Sequence, residues 1–206
     1  MKGIYCLMSA IVALGLSSCD ENARLAKELH GTWAGTPENV TDNTAITATL
    51  IETYSFTDAA QTMSKGAYGG DISITGMISC STQILADSTI IEPVTLTASA
   101  VSTINGTWTV IDDDEIAVSL NPQTLVVTMD PEAVSVANNV VTNNDNPSIE
   151  KLRPGITATL RDGIKHTLSM RYASIRQLDD IKIKGPLLKF EIGKNDYVFT
   201  RQGESK

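Results

Sequence analysis

The chain has 206 residues, of which 42% are hydrophobic, enough for one domain with a substantial core. From residue 19 onward it has 24 acidic and 15 basic residues, a net charge of −9. This charge argues against nucleic acid as a partner, because such binding depends on neutralising phosphates.

The N-terminus has the features of an export signal. Lys2 supplies a positive charge, and the uncharged, mostly apolar run 3–16 follows it. This run is shorter than the roughly 20 apolar residues of a membrane span, so it predicts a signal peptide. It ends in the sequence LSSC at 16–19, which resembles the lipobox of bacterial lipoproteins. The resemblance implies that residues 1–18 are removed and that Cys19 carries the lipid, palmitate included.

The lipobox resemblance also implies a location. Acyl chains anchor a protein by about 0.8 kcal/mol per buried CH₂, without the polypeptide crossing the membrane. We therefore expect a protein of the cell envelope, held at the outer membrane of a Gram-negative bacterium, on its periplasmic or its outer surface. Residues 19–28 are polar and predict a tether, with a helical turn as one form of its end, and 29–206 form the predicted domain.

With Cys6 in the signal and Cys19 acylated, Cys80 is the one thiol left. No disulfide within the chain is then possible, and the core has to hold the fold by itself.

Alternating apolar and polar residues predict strands through most of the domain. In the clearest run, Ile46, Ala48, Leu50, Tyr54 and Phe56 share one parity, while threonine and serine share the other. A period of two is what a half-buried strand shows. The same alternation recurs at 72–80, 94–100, 108–110, 116–120 and 125–129, with a hairpin turn expected at 112–114.

The pattern changes after Asp130. Asp130-Pro131-Glu132 predicts a helix start. Apolar residues then recur at spacings of three and four, predicting an amphipathic helix, at positions 149, 152, 156, 160, 164 and 168. We expect Pro154-Gly155 to break it, so that the longer helix starts at Pro154. A hairpin turning at 162–163 is the alternative, and the helix is favoured. Short strands near 181–183, 188–192 and 197–201 close the chain.

Charge is distributed unevenly along the chain. Cys19 to Glu150 contains 18 acidic and 3 basic residues, whereas the part from Lys151 onward contains 12 basic and 6 acidic ones. The basic part either forms a patch for an anionic partner or packs against the acidic part and neutralises it. We favour the second interpretation.

About eight to ten short strands with regular turns predict a mainly β, antiparallel fold, a sandwich or a barrel. Gly31-Thr32-Trp33, at the start of the first strand, resembles the G-x-W motif of lipocalins and their calycin relatives. In that superfamily an arginine of the last strand packs over the tryptophan. The resemblance implies a lipocalin-like barrel closed by Trp33 and Arg201 through a cation–π contact of about 0.5–2 kcal/mol. A helix within the C-terminal third departs from the family's usual order.

Glu52 is the candidate ligand-binding residue, because it lies on the apolar parity of the clearest strand. Inside a barrel it would point a carboxylate into a cavity, where a buried acid often marks function. The alternative is that Glu52 marks a β-bulge or the barrel mouth.

Neither catalysis nor a metal site is predicted. His30 and His166 are the only histidines, and no G-x-S-x-G, H-E-x-x-H or paired-cysteine pattern accompanies them. The acidic run 112–115 lacks the calcium-loop pattern and is typical of a solvated turn. We therefore expect no enzyme and no cofactor.

Two functions are open. The family resemblance implies that the barrel binds a small apolar or amphipathic ligand; the alternative is a protein–protein interaction module with a filled core. A closed cavity of ~300 Å³ or more would indicate a ligand. Four small residues on predicted strands leave room for one if they face inward: Ala48, Gly76, Ala98 and Ala100.

Overall fold

The structure, a computed structural model, describes residues 21–40, 46–58, 67–84, 94–130, 134–138 and 147–203. The predicted signal peptide and Cys19 lie outside these residues. Two α-helices are described, α1 at 21–29 and α2 at Pro147–Ser174, and a short 3-10 helix lies at Pro122–Thr124. The strands are β1 (Gly31–Gly35), β2 (Glu38–Asn39), β3 (Ile46–Asp58), β4 (Gly69–Ile84), β5 (Val94–Asp112), β6 (Glu115–Leu120), β7 (Val126–Thr128), β8 (Ser135–Asn138), β9 (Gln177–Lys184), β10 (Leu187–Ile192) and β11 (Asn195–Arg201).

Eight strands close into an antiparallel barrel. In order around the wall they are β1, β3, β4, β5, β6, β9, β10 and β11, and each pairs antiparallel with the next. β11 then pairs with β1, where Arg201 lies opposite Trp33, so the ring has no open edge. The mainly β, antiparallel fold predicted from the alternation is confirmed, and of the sandwich and the barrel it is the barrel, as the family resemblance implied.

β4 and β5 extend the sheet beyond the end of β6. β5 pairs with β6 from Gly106 to Asp112, and then with β7 through 101–103. Farther along, β5 pairs with β8 through 94–97. The barrel wall therefore continues on one side as a longer sheet, and α2 has an inner surface to pack against.

Aromatic side chains fill the interior of the barrel. The Tyr54 ring meets Phe199 edge-on at 4.9 Å between centroids, and Phe56 meets Trp108 edge-on at 5.8 Å. Edge-to-face contacts at this spacing add to the burial energy of the rings. The core is thus built from the residues whose alternation predicted the strands.

α2 packs against this core along one face. Ile156, Leu160 and Ile164 are half-buried against the core, and Leu168 and Tyr172 are buried. This is the predicted amphipathic stripe, so the helix is confirmed and the hairpin at 162–163 is wrong.

The expected break at Pro154-Gly155 is wrong as well. α2 begins at Pro147 and continues through Pro154. Both residues are exposed, so Pro154 removes one backbone hydrogen bond on the side of the helix where water replaces it.

The predicted tether is more ordered than expected. Residues 21–29 form a helix rather than only a terminal helical turn, because Leu25 and Leu29 lie four residues apart on one face and are 5% and 0% exposed in the core. The helix start predicted at Asp130-Pro131-Glu132 lies largely outside the described residues, which omit 131–133; farther along the chain, Ser135–Asn138 is strand β8.

The C-terminal end of α1 rests on the barrel's closing pair. The Arg201 guanidinium carbon lies 4.1 Å from the centre of the Trp33 ring. Arg201 also donates hydrogen bonds to the carbonyls of Glu28 and His30, and Trp33 Nε1 donates to Leu29 O at 2.8 Å. The last carbonyls of a helix lack partners within the helix and attract cations. The closing pair therefore holds α1 in place as well.

We expect Arg201→Ala to lower the free energy of unfolding by about 2 kcal/mol, because it removes the ring contact and both carbonyl bonds. Arg201→Lys keeps the charge but loses the planar fork, so it should fall between wild type and alanine. The measurement is urea unfolding followed by tryptophan fluorescence. Arg161→Ala, which removes an exposed pair with Asp162, is the control and should change stability by less than about 0.5 kcal/mol. An Arg201→Ala variant within that limit would contradict the prediction.

Candidate functional site

Glu52 lies in the barrel wall with its side chain inward. It is 4% exposed and stands opposite Gly76, which in turn stands opposite Ser102 on β5. The β3–β4 register runs without interruption from Ile46 to Asp58, so no β-bulge is present at Glu52. A polar row thus crosses the otherwise apolar inner face.

The partner of Glu52 comes from α2. Arg171 Nε donates to Glu52 Oε1 at 3.1 Å, and one terminal nitrogen donates to Glu52 Oε2 at 2.7 Å. The same nitrogen donates to Glu38 Oε2 at 2.9 Å. Two parallel hydrogen bonds between a guanidinium and a carboxylate form the strongest common type of ion pair.

Electrostatics keep the guanidinium charged. Burial lowers the pKa of Arg171, but the hydrogen bonds and charge of Glu52, together with the charge of Glu38, outweigh burial and raise that pKa above its ordinary value. The ion pair therefore joins α2 to β3 with a full charge on the arginine.

A glycine and two hydroxyls complete the cluster. A Cβ on Gly76 would lie 2.5 Å from Ser102 Oγ and 3.6 Å from the Tyr172 oxygen, so only glycine leaves room here. The hydroxyls of Ser102 and Tyr172 are buried and have no hydrogen-bond partner within the described structure. Burial and the nearby charge of Glu52 raise the pKa of Tyr172, so the phenol stays neutral at physiological pH.

The cavities beside this cluster are small. One, at the mouth of the barrel, has a volume of about 110 Å³ and is lined in part by Glu38, Glu52, Asp196 and Tyr197. A second, between α2 and the wall, has a volume of about 50 Å³. Ligand sites usually occupy about 300–1,000 Å³. Neither cavity approaches that size.

The four small inward residues of the predicted strands, Ala48, Gly76, Ala98 and Ala100, line neither of these two cavities. The three alanines are buried in the core cluster against which Ile156 and Leu160 of α2 also pack. Within the described residues they therefore belong to the packed core.

The two histidines and the acidic run 112–115 do not form a site together. His30 is exposed just before β1, and His166 is exposed on α2. Residues 112–115 form the turn between β5 and β6. The residues that the structure describes contain no group of three or more His, Cys, Asp or Glu side chains arranged to hold a metal ion. No described helix is long and apolar enough to span a bilayer.

Sequence reasoning identified Glu52 and missed its partner. Arg171 is separated from Glu52 by 119 positions, and nothing in the local sequence links them. The available signal was the position of Arg171 beside Leu168 and Tyr172, on the apolar side of a predicted helix. A charge placed there needs a buried partner, and Glu52 was the one acid on an apolar strand face.

We expect Arg171→Met to lower the free energy of unfolding by about 3–5 kcal/mol, because it leaves the Glu52 carboxylate buried without a cation. Combining Glu52→Leu with Arg171→Met removes both charges and should recover most of this loss. Urea unfolding at pH 7 measures both variants, with Arg161→Met as the matched control on the exposed side of α2. A double variant less stable than the single one would show that the pair does not act as argued.

Comparison with protein-family profiles, with curated proteins and with solved structures finds no match for this chain. The function is therefore inferred from the geometry and the sequence motifs. What the geometry establishes is a closed eight-stranded barrel whose interior ion pair joins it to its own helix.

Proposed function

We propose that this chain is a lipid-anchored protein of the cell envelope, with a lipocalin-like barrel that acts through its outer surface as a protein–protein interaction module. The observation that carries this proposal is the occupied interior: α2 covers the inner face and is joined to it by the pair of Arg171 and Glu52. A barrel that stores a small molecule needs that space for its ligand.

Binding of an apolar ligand inside the barrel is the weaker alternative. It requires α2 to move away, which separates a bidentate ion pair and leaves Glu52 unpaired in a buried position. The open cavity at the mouth is also poorly suited to an apolar molecule, because Glu38, Glu52 and Asp196 line it. Both oxygens of Glu52, the candidate ligand-binding residue, already accept bonds from Arg171.

The proposed anchor fits the position of α1. Cys19 precedes the first described helical residue, Glu21, by two positions, a span of at most about 7 Å. α1 is packed on the barrel through Leu25 and Leu29. Acylation of Cys19 would thus hold the barrel close to the bilayer surface, with the opposite end and the walls free for partners.

The filled interior predicts the mass of the native protein. The chain is purified from its own envelope in detergent and measured by native mass spectrometry, and a denaturing measurement of the same sample gives the covalent mass. We expect the two masses of the monomeric species to agree, because no small molecule is retained. A reproducible additional small-molecule mass in the native spectrum would overturn the interaction-module proposal in favour of ligand binding.

The anchor predicts the effect of one cysteine. Cys19→Ala should remove palmitate labelling and shift the protein from the membrane to the soluble fraction, because acyl chains supply the membrane affinity. Cys6→Ala, within the predicted signal peptide, is the matched control and should leave fractionation unchanged. If Cys19→Ala stays fully in the membrane fraction, the lipoprotein assignment is wrong.

A further inference from the structure

One outer face of the sheet is almost free of charge: among the described residues of β3, β4, β5 and β7 that point this way, only Asp71, near the start of β4, is charged. Its residues alternate with the buried ones on these strands, and all except Asp71 are threonine, serine, asparagine or aliphatic. We call this surface the neutral face; it consists of residues 47, 49, 51, 53, 55 and 57, residues 73, 75, 77, 79 and 81, the odd positions from 95 to 109, and residues 126 and 128.

The centre of the neutral face is apolar and exposed. Met77 lies directly opposite Val101 on β5 and opposite Ile51 on β3. Met77 is 55% exposed and Val101 48%, although both lie on central strands, and Val126 on neighbouring β7 is 57% exposed. Contiguous exposed apolar side chains of this kind mark an interaction surface.

The charges of the chain indicate which kind of partner the neutral face can bind. The whole chain carries a net charge of −8. Asp71 borders the neutral face at one end, between Thr57 and Thr107, and the centre around Met77 is free of charge. Of the other nearby acids, Asp58 ends β3, Asp112 lies in a turn, and Glu52 lies in the interior. A strongly charged partner would lose hydration at this centre without gaining an ion pair. Two copies of this acidic chain repel one another least through a surface whose centre is without charges.

The size of the neutral face suits such a pairing. The neutral face spans residues 47–57 of β3, 73–81 of β4, 95–109 of β5 and 126–128 of β7. At about 3.3 Å per residue and about 4.8 Å between strands, these segments cover on the order of 600 Å². A standard interface buries about 800 Å² per partner, so a contact centred on this face also covers part of its rim. Stacked sheets pack about 10 Å apart with interleaved side chains, which β-branched threonine and valine suit well.

We propose that the neutral face is a self-association surface, on which two copies of this chain pack face to face about a twofold axis near Met77 and Val101. In a twofold contact the same patch serves both partners, so the apolar centre of one copy covers that of the other. The inference rests on the proposed function, because it names the partner of the interaction module as a second copy.

Cysteine cross-linking in the intact envelope tests the pairing. Val101→Cys places a thiol at the centre of the neutral face, and Met170→Cys places a matched thiol on α2, where Met170 is 66% exposed. Cys80 is buried and does not interfere. On mild oxidation we expect Val101→Cys, and not Met170→Cys, to yield a disulfide-linked species at twice the mass of the chain. Adding Met77→Lys to the Val101→Cys variant should abolish this species, because two lysines would then face each other across the axis.

Two results would overturn the self-association. One is a Val101→Cys dimer no more abundant than that of Met170→Cys, and the other is a dimer that Met77→Lys leaves unchanged. Unaltered urea unfolding of the Met77→Lys variant shows that its fold is intact. These failures are distinct from failure of the proposed function, which a retained small molecule in the native spectrum would indicate whatever the cross-linking shows.

Discussion

A guanidinium and a carboxylate that meet inside the barrel determine how α2 sits in this protein. Glu52 is nearly buried, and removing a carboxylate from water costs several kcal/mol unless a cation and hydrogen bonds replace the lost hydration. Arg171 supplies the cation and two hydrogen bonds, one to each oxygen of the Glu52 carboxylate. A shift of α2 by one turn would leave both charges buried and unpaired, so the pair selects a single register of helix on sheet. In that register, Leu168 and Tyr172 of α2 are buried in the core.

Strand β1 closes the barrel by pairing with a neighbour on each side, and it directly follows the N-terminal helix α1. β1 pairs with β3 on one side and with β11 on the other. At its start Gly31 has a φ of +123°, and a Cβ there would lie 3.0 Å from an Arg201 nitrogen. Glycine therefore permits both the backbone turn from α1 into β1 and the approach of Arg201 to the helix carbonyls.

The uneven charge of the chain has a structural counterpart. Arg171, from the basic C-terminal part, joins Glu38 and Glu52 from the acidic part. The favoured interpretation, that the two parts neutralise each other, describes this contact. The interior thus holds a charge pair, whereas the centre of the neutral face on the outside holds no charge.

The sequence by itself determined the class of fold, because strand alternation and the stripe of α2 depend on local spacing alone. It also pointed to Trp33, Arg201 and Glu52 as unusual residues. The tertiary structure alone decided what each of them meets, since Arg171 is 119 positions from Glu52 and Arg201 is 171 positions from His30. It also decided that Ala48, Ala98 and Ala100 belong to the same packed core as the inner side of α2. Periodicity reports which face of an element is buried, but only the register between distant strands and helices determines what covers that face.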